Sequence, residues 1–453
     1  MHKKKIFGSG GLEGIAVTEL TPGLAMNTGK AIATLLCRKS GRGVRVLMGK
    51  DTRISSDIIE AALCAGLMSA GADVVSLGVA PAPAVAYLTR HYGADGGIMI
   101  SSPRGDVEKN AVRMFSGNGG RIPKDTMEQI EALVYGEREK LNMALKSGAS
   151  VGRRTEEPGL IGYYIRHIRE SGEKNLAGLK IAVDCANGAV CSTAQRLFTG
   201  LEAKVYLLNC QPDGVNVNRD CGVSHSVGLI EFMKENCCDC GLAFDADGGR
   251  CVAVVEEGNI CDGDKLTAIF AGDMQERGVL KDNAVVVPAS ANVGFTFFAQ
   301  GKGIKIVTSR SDSRYMTERL YDGKYSLGGE QSGRIYFPNI SRMADGQLTA
   351  IQLLSVMKRT GKPLSELAAV MERYPQVMVN VKIDKRWKEA WKNNGDIEKV
   401  ISECEKQLKG GGRIIVRESS KEPVIRVMVE GKRFDEANTM AMRIAKVVKQ
   451  STM

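Results

Sequence analysis

Gly97–Phe115, GIMISSPRGDVEKNAVRMF, joins an unbroken apolar run to a polar loop, and the reading of the chain starts there. Ile98-Met99-Ile100 has no polar alternation, the pattern of a parallel strand covered on both faces. In open α/β sheets ligands bind in the crevice beyond the carboxyl ends of the strands, and that position holds Ser101, Ser102, Pro103, Arg104, Gly105 and Asp106. Asn110 and Arg113 follow within reach.

Working outward, Val44–Gly49 and Asp73–Gly78 read as strands, and Ile54–Ala70 and Pro83–Tyr92 as helices. This alternation predicts a parallel, wound α/β domain over residues 1–154. A second such unit is expected over 155–255, with strands Lys180–Asp184, Lys204–Leu208 and Gly241–Phe244. A third is expected over 256–374. The last, 375–453, reads as a smaller α+β layer, with strands Gln376–Ile383, Arg413–Arg417 and Ile425–Glu430 and helices Ile397–Leu408 and Asp435–Lys449. Neither Gly8–Gly14 nor Gly23–Lys30 has the spacing of a nucleotide-binding glycine loop.

The chain has 453 residues, 43% hydrophobic and 25% charged, with a net charge of +10. That is ordinary for a globular protein with several cores. No stretch is long and apolar enough for a membrane span, and the lysines at the start are followed by no signal-like apolar run. A cytoplasmic protein with no membrane partner is expected. The basic residues are dispersed and aromatics are 5%, which suits an anionic small ligand and argues against nucleic acid. Twelve cysteines without framework spacing read as reduced thiols. Cys237-Cys238-Asp239-Cys240 lacks the distant second pair of a zinc site and reads as small buried hydrophobes.

The opening stretch resembles the α-D-phosphohexomutases, most closely the bacterial phosphoglucosamine mutases, which carry I-S-A-S-H-N-P-x-x-x-N-G-I-K-F-F there. Ser101, Asn110, Val112 and Phe115 fit that pattern. The family's phosphorylated serine falls on Pro103, and the following H-N-P on Arg104, Gly105 and Asp106. The resemblance continues collinearly. Gly49–Ser56 and Pro81–Leu88 match scaffold motifs, although Gly10 and Glu13 replace an aspartate and an arginine. Phe244–Arg250 matches the metal loop D-x-D-x-D-R with Asp245 and Asp247 kept and Gly249 as the third position. Gly328–Gly333 matches the sugar loop, with Arg334 in place of its final histidine and Ser311–Tyr315 altered upstream. Arg417–Pro423 stands where the family grips a phosphate.

The resemblance implies a four-domain phosphohexomutase architecture, three wound α/β domains plus a smaller C-terminal α+β domain. It implies Glu330, Ser332, Arg417, Ser419, Lys421 and Arg426 as phosphosugar-binding residues, and Asp245 and Asp247 as what remains of a now weak Mg²⁺ site. Ser102, Ser101 and Arg104 are the candidates for catalysis. The family's relay passes a phosphoryl group from serine to sugar and back, and proline has no nucleophile. Deleting a nucleophile in another enzyme class costs roughly six orders of magnitude. The first expectation is therefore a dead or severely impaired mutase-like protein that retains a hexose or hexosamine phosphate or a partner. The alternative is an active mutase using Ser102, one residue early. Assembly as a homodimer, or with an active mutase, is the partner expectation.

Overall fold

The computed structural model describes residues 7–8, 11–40, 43–135, 145–310, 313–384, 391–408, 410–419 and 423–452. Two compact units emerge, one of residues 1–289 and 307–368 and one of 290–306 and 369–453. The fold is α/β, with three α/β sheets and a C-terminal α+β layer.

The first sheet contains β1 (Phe7–Gly8), β2 (Gly11–Ile15), β3 (Val44–Lys50), β4 (Ala72–Val79), β5 (Gly96–Ile100), β6 (Lys109–Ser116) and β7 (Arg154–Glu156), in the order β1-β2-β6-β5-β3-β4-β7. Every position of β5 is buried. Its Gly97 is a packing requirement, because a Cβ there would lie 2.3 Å from Thr89 Oγ1. The helices Pro22–Ser40 and Ile54–Ser69 meet backbone to backbone: a Cβ on Gly66 would lie 2.0 Å from the Met26 carbonyl oxygen.

This sheet is mixed, whereas the sequence suggested a parallel one. β3 runs parallel to β4 and β5, but β6 runs antiparallel to β5, pairing Ile100 with Val112. The strand β6 escaped the sequence reading because five of its eight residues are buried and those five fall on both faces, which leaves no period-2 signal. The consequence is a hairpin whose connection, 101–108, is the serine loop itself.

The second sheet contains β8 (Lys180–Asp184), β9 (Lys204–Leu208), β10 (Cys240–Phe244), β11 (Cys251–Val255) and β12 (Ile260–Cys261), in the order β12-β11-β10-β8-β9. Its strands β10, β8 and β9 are parallel, with β9 at the edge. The antiparallel pair β10 and β11 flanks the turn Asp245–Arg250, and Gly248 there takes φ +71°, a conformation that glycine adopts without strain. The third sheet, β13 (Ala284–Pro288), β14 (Lys305–Ser309), β15 (Gly328–Glu330) and β16 (Arg334–Tyr336), runs β14-β13-β15-β16.

The C-terminal sheet, β17 (Gln376–Lys382), β18 (Gly412–Glu418) and β19 (Val424–Gly431), is antiparallel in the order β17-β19-β18. The helix Phe434–Ser451 buries Ala437, Ala441, Ile444, Ala445 and Val448, one apolar stripe of an amphipathic helix, in the same core as Ile425, Val427 and Val429. Among the described residues no helix is long and apolar enough to cross a membrane.

Candidate active site

The serine loop is pinned from beneath. Arg53, fully buried, pairs with Asp51 and donates through Nη2 to the carbonyl oxygens of Ser102 (2.8 Å) and Gly105 (2.6 Å). Ser101 is buried and its Oγ donates to Asp51 Oδ2 at 2.7 Å, so this hydroxyl belongs to the pin. Ser102 is 1% exposed, and its Oγ donates to Glu13 Oε1 at 3.2 Å. Pro103 is buried and its carbonyl accepts from Ala246 N (3.2 Å) and Asn218 Nδ2 (3.1 Å), which ties the loop to the acidic turn. Arg104 is exposed, and its charge reaches Arg250.

Asp245 and Asp247 are wholly buried, and each of their four oxygens has a donor. Asp245 Oδ2 accepts from Arg250 Nη1 at 2.6 Å and Oδ1 from the Arg250 backbone N–H at 3.1 Å. Asp247 Oδ1 accepts from Gly249 N at 2.9 Å, and Oδ2 pairs with Arg113 of β6. Burial and the neighbouring Asp247 push the Asp245 carboxyl up to about 6. Burial would raise Asp247 too, but Arg113, Arg334 and Arg250 hold it well down. Burial, with Arg334 close by, pulls Arg250 down to about 10, so the guanidinium groups crowd one another.

A hard divalent cation requires several carboxylate or carbonyl oxygens free to turn toward it. Here both carboxylates are spoken for by arginine and backbone N–H groups, and the third position is Gly249. The residues present do not fit a resident Mg²⁺. Arg113, Arg250 and Arg334 face Asp245 and Asp247, and Arg334 also faces Glu330. Arg113 and Arg334 also line one cleft with Arg121, Arg342, Phe115 and Tyr336. Guanidinium groups gathered along one cleft are the chemistry of an anion site.

Beside it, Glu330 closes β15 and accepts from Tyr336 Oη at 2.7 Å. The loop after it packs on the start of the helix Gly263–Glu276, where a Cβ on Gly263 would lie 2.0 Å from the Glu330 carbonyl oxygen. Ser332 Oγ and Gln331 Nε2 are buried with no hydrogen-bond partner among the described residues. Buried polar atoms left without partners are uncommon and ask for a ligand or water.

In the C-terminal unit Arg417 and Arg426 are direct cross-strand partners on β18 and β19. Arg417 is exposed, and Arg426 is partly buried with Nε lacking a partner among the described residues. Ser419 is buried, its backbone N–H donating to the Val424 carbonyl at 2.8 Å. Lys421 lies outside the described residues. Sequence reasoning placed Arg113 within reach of the serine loop but did not single out Arg121 and Arg342 as site cations. For Arg334 a signal existed: a histidine of the motif became a fixed cation where a metal ligand was lost.

The phosphoglucomutase/phosphomannomutase alpha/beta/alpha domains I, II and III match residues 4–141, 162–258 and 262–374, and the C-terminal domain of that family matches 378–447. A phosphoglucosamine mutase from Caldanaerobacter subterraneus subsp. tengcongensis is 43% identical over 446 residues, 98% of this chain and 99% of the relative. One from Thermoanaerobacter sp. (strain X514) is 41% identical over the same span. Among solved structures, a phosphoglucomutase/phosphomannomutase family protein from Burkholderia thailandensis superposes with a TM-score of 0.78 at 20% identity, covering 97% of both chains. An Aspergillus fumigatus N-acetylphosphoglucosamine mutase, in complex with GlcNAc-6P and magnesium, gives 0.68 at 15% identity, covering 99% of this chain and 96% of its own. These two share the fold. With all four domains matched and full-length relatives at such identity, the chain belongs to the α-D-phosphohexomutase superfamily and, within it, to the phosphoglucosamine mutase family.

Proposed function

We propose that this phosphoglucosamine mutase homologue binds a hexose or hexosamine phosphate without running the phosphoserine relay, and that guanidinium groups stand in for the metal. One observation carries the reading. Beside a loop with Pro103 at the nucleophile position, Asp245 and Asp247 are neutralised by Arg250 and Arg113. The relay requires a group that accepts and returns a phosphoryl, and a cation that offsets charge on it in flight. The first is absent at its position. The second is replaced by cations that bind a resting phosphate dianion well, and binding alone accelerates nothing. Glu330, Ser332 and Gln331 supply sugar-facing polar groups, and Arg417, Ser419 and Arg426 a second phosphate grip in the C-terminal unit. That the A. fumigatus relative was captured with GlcNAc-6P supports an amino-sugar phosphate as the ligand. A cytoplasmic setting is part of this reading, and twelve free cysteines fit it.

A second reading has its own observation. Ser102 Oγ, bonded to Glu13 Oε1 at 3.2 Å, is a hydroxyl beside a carboxylate that could take its proton. In this version Glu13, where the family has an arginine, serves as the base for a displaced nucleophile. The near-complete burial of Ser102 speaks against it.

The test is the intact mass of the protein after incubation with glucose 1,6-bisphosphate and Mg²⁺, alongside thermal shifts with glucosamine 6-phosphate in a chelator. Unchanged mass together with a chelator-resistant thermal shift is expected. A stable phosphoryl group mapped to Ser102 and lost in Ser102→Ala would establish the second reading. No thermal shift at millimolar sugar phosphate would reject the first.

A further inference from the structure

Outside this site, one cluster of reactive side chains has no role in sugar binding. The Sγ atoms of Cys185, Cys191 and Cys210 all lie within 4.8 Å of one another. They come from three segments. Cys185 directly follows β8, Cys191 sits in the short turn Ala189–Ser192, and Cys210 lies two residues past β9. We propose that these three thiols form a binding site for a thiophilic d¹⁰ cation such as Zn²⁺, with a water completing its coordination.

The backbone is bent to bring them together. Ala186, Asn187 and Asn209 all take left-handed conformations, with φ +54°, +47° and +47°. Such values are uncommon for residues other than glycine. The turns are locked by Cys185 N to Leu208 O (3.0 Å), Gly188 N to Cys185 O (2.9 Å) and Cys191 N to Gly188 O (3.1 Å). Cys185 is buried, whereas Cys191 and Cys210 are partly exposed, so an ion has a way in.

The spacing suits a metal better than a disulfide. Zinc–sulfur bonds of about 2.3 Å place tetrahedral sulfurs about 3.8 Å apart, so the trio closes by at most about 1 Å. A disulfide requires about 2.0 Å. The sulfurs have only long contacts to protein acceptors, 3.7 Å from Cys191 to the Asn209 carbonyl and 3.9 Å from Cys210 to the Cys191 carbonyl. Binding releases the thiol protons to solvent and involves no redox change, leaving one M²⁺ on three thiolates.

Occupancy would stiffen the floor of the anion site. Ala189 N donates to the Ala246 carbonyl at 2.8 Å, and a Cβ on Gly188 would lie 2.7 Å from Ala246 Cα. Ala246 stands between the two site carboxylates. An ion that clamps the turns after β8 and β9 therefore restrains the acidic turn resting on them.

The full chain, reduced and stripped of metal, is titrated with Cd²⁺ while its thiolate charge-transfer absorption is followed, and with Zn²⁺ against a chromophoric chelator. A single equivalent bound with submicromolar affinity is expected, with proton release and a higher unfolding temperature. Cys191→Ser and Cys210→Ser, at partly exposed positions, should each abolish the signal. Cys237→Ser, an exposed thiol outside the cluster, should keep it. Binding that survives both serine substitutions, or no binding at micromolar metal, overturns the site. A disulfide within the trio in reduced-buffer preparations, with no metal uptake, overturns it in favour of a thiol pair.

Discussion

Arg113 of β6 pairs with Asp247, a carboxylate with no exposed side-chain surface, and so joins the strand after the serine loop to the acidic turn of the second sheet. A buried carboxylate that loses its counterion typically costs a protein 3–5 kcal/mol. Arg113 is itself 19% exposed and Arg334 stands near, so the lower end applies. Arg113→Met should lower stability in urea unfolding by roughly 3 kcal/mol. A change inside about 0.5 kcal/mol, the usual scatter of surface substitutions, would show that Asp247 does not depend on Arg113 and would remove the basis for arginine standing in for a metal.

Gly249 offers the reverse experiment. A Cβ there would lie 3.0 Å from Asp247 Oδ1, close enough for a third carboxylate to complete an oxygen set. In a chelator, Gly249→Asp should destabilise the protein by roughly 1–3 kcal/mol, through crowding and added negative charge. Millimolar Mg²⁺ should then recover part of that loss in the variant and leave the parent unmoved. Equal Mg²⁺ stabilisation of both proteins would mean that the parent already holds the ion despite its engaged carboxylates.

The sequence carried the scaffold further than the site. Lys180–Asp184 and Lys204–Leu208 are strands over those same residues, because short apolar runs between turn signals leave little choice. Ser101 and Ser102 both sit on the serine loop, yet only geometry reveals that one hydroxyl serves Asp51 and the other Glu13. The meeting of Arg334 with Asp245 and Asp247 joins residues nearly ninety positions apart, which no local period encodes. The cysteines mislead in the same way. Cys237, Cys238 and Cys240 are neighbours in sequence, and Cys237 is exposed where the sequence suggested burial, but the thiols that meet come from the ends of two parallel strands and the turn Ala189–Ser192 between them, where the chain returns only after a crossover.

Asp345 makes stability depend on pH. It caps the helix Gly346–Thr360 by accepting from Leu348 N at 3.0 Å, and Tyr164 Oη donates to it at 3.0 Å. Burial nevertheless pushes its carboxyl up to about 7, against those bonds. In the unfolded chain it ionises at about 3.9. Between these values the folded protein retains a proton that the unfolded chain has released, so stability falls as pH rises from about 4 to about 7. Asp245, raised to about 6 by burial, adds a slope of the same sign. Asp345→Asn keeps an acceptor for Leu348 and removes the titration. Its urea midpoint should exceed the parent's at pH 8 and fall less steeply from pH 4 upward. Parallel pH curves for the two proteins would show that Asp345 is not the titrating group.

Arg417 and Arg426 face each other across β18 and β19, and among the described residues the Arg426 Nε has no hydrogen-bond partner. Like charges directly opposite in a sheet are unfavourable by roughly 0.2–1 kcal/mol. The fold gains nothing from that repulsion, whereas a phosphate dianion between the two guanidinium groups would reverse its sign. Arg426→Met should therefore raise stability by a few tenths of a kcal/mol in phosphate-free buffer. The same variant should lose most of the thermal stabilisation that inorganic phosphate gives the parent. The two effects have opposite signs in one protein, which a merely structural arginine would not produce: removing a packing residue lowers stability in both buffers. Destabilisation by Arg426→Met without phosphate, or an undiminished response to phosphate, would assign this pair to the sheet and leave the C-terminal loop without its grip.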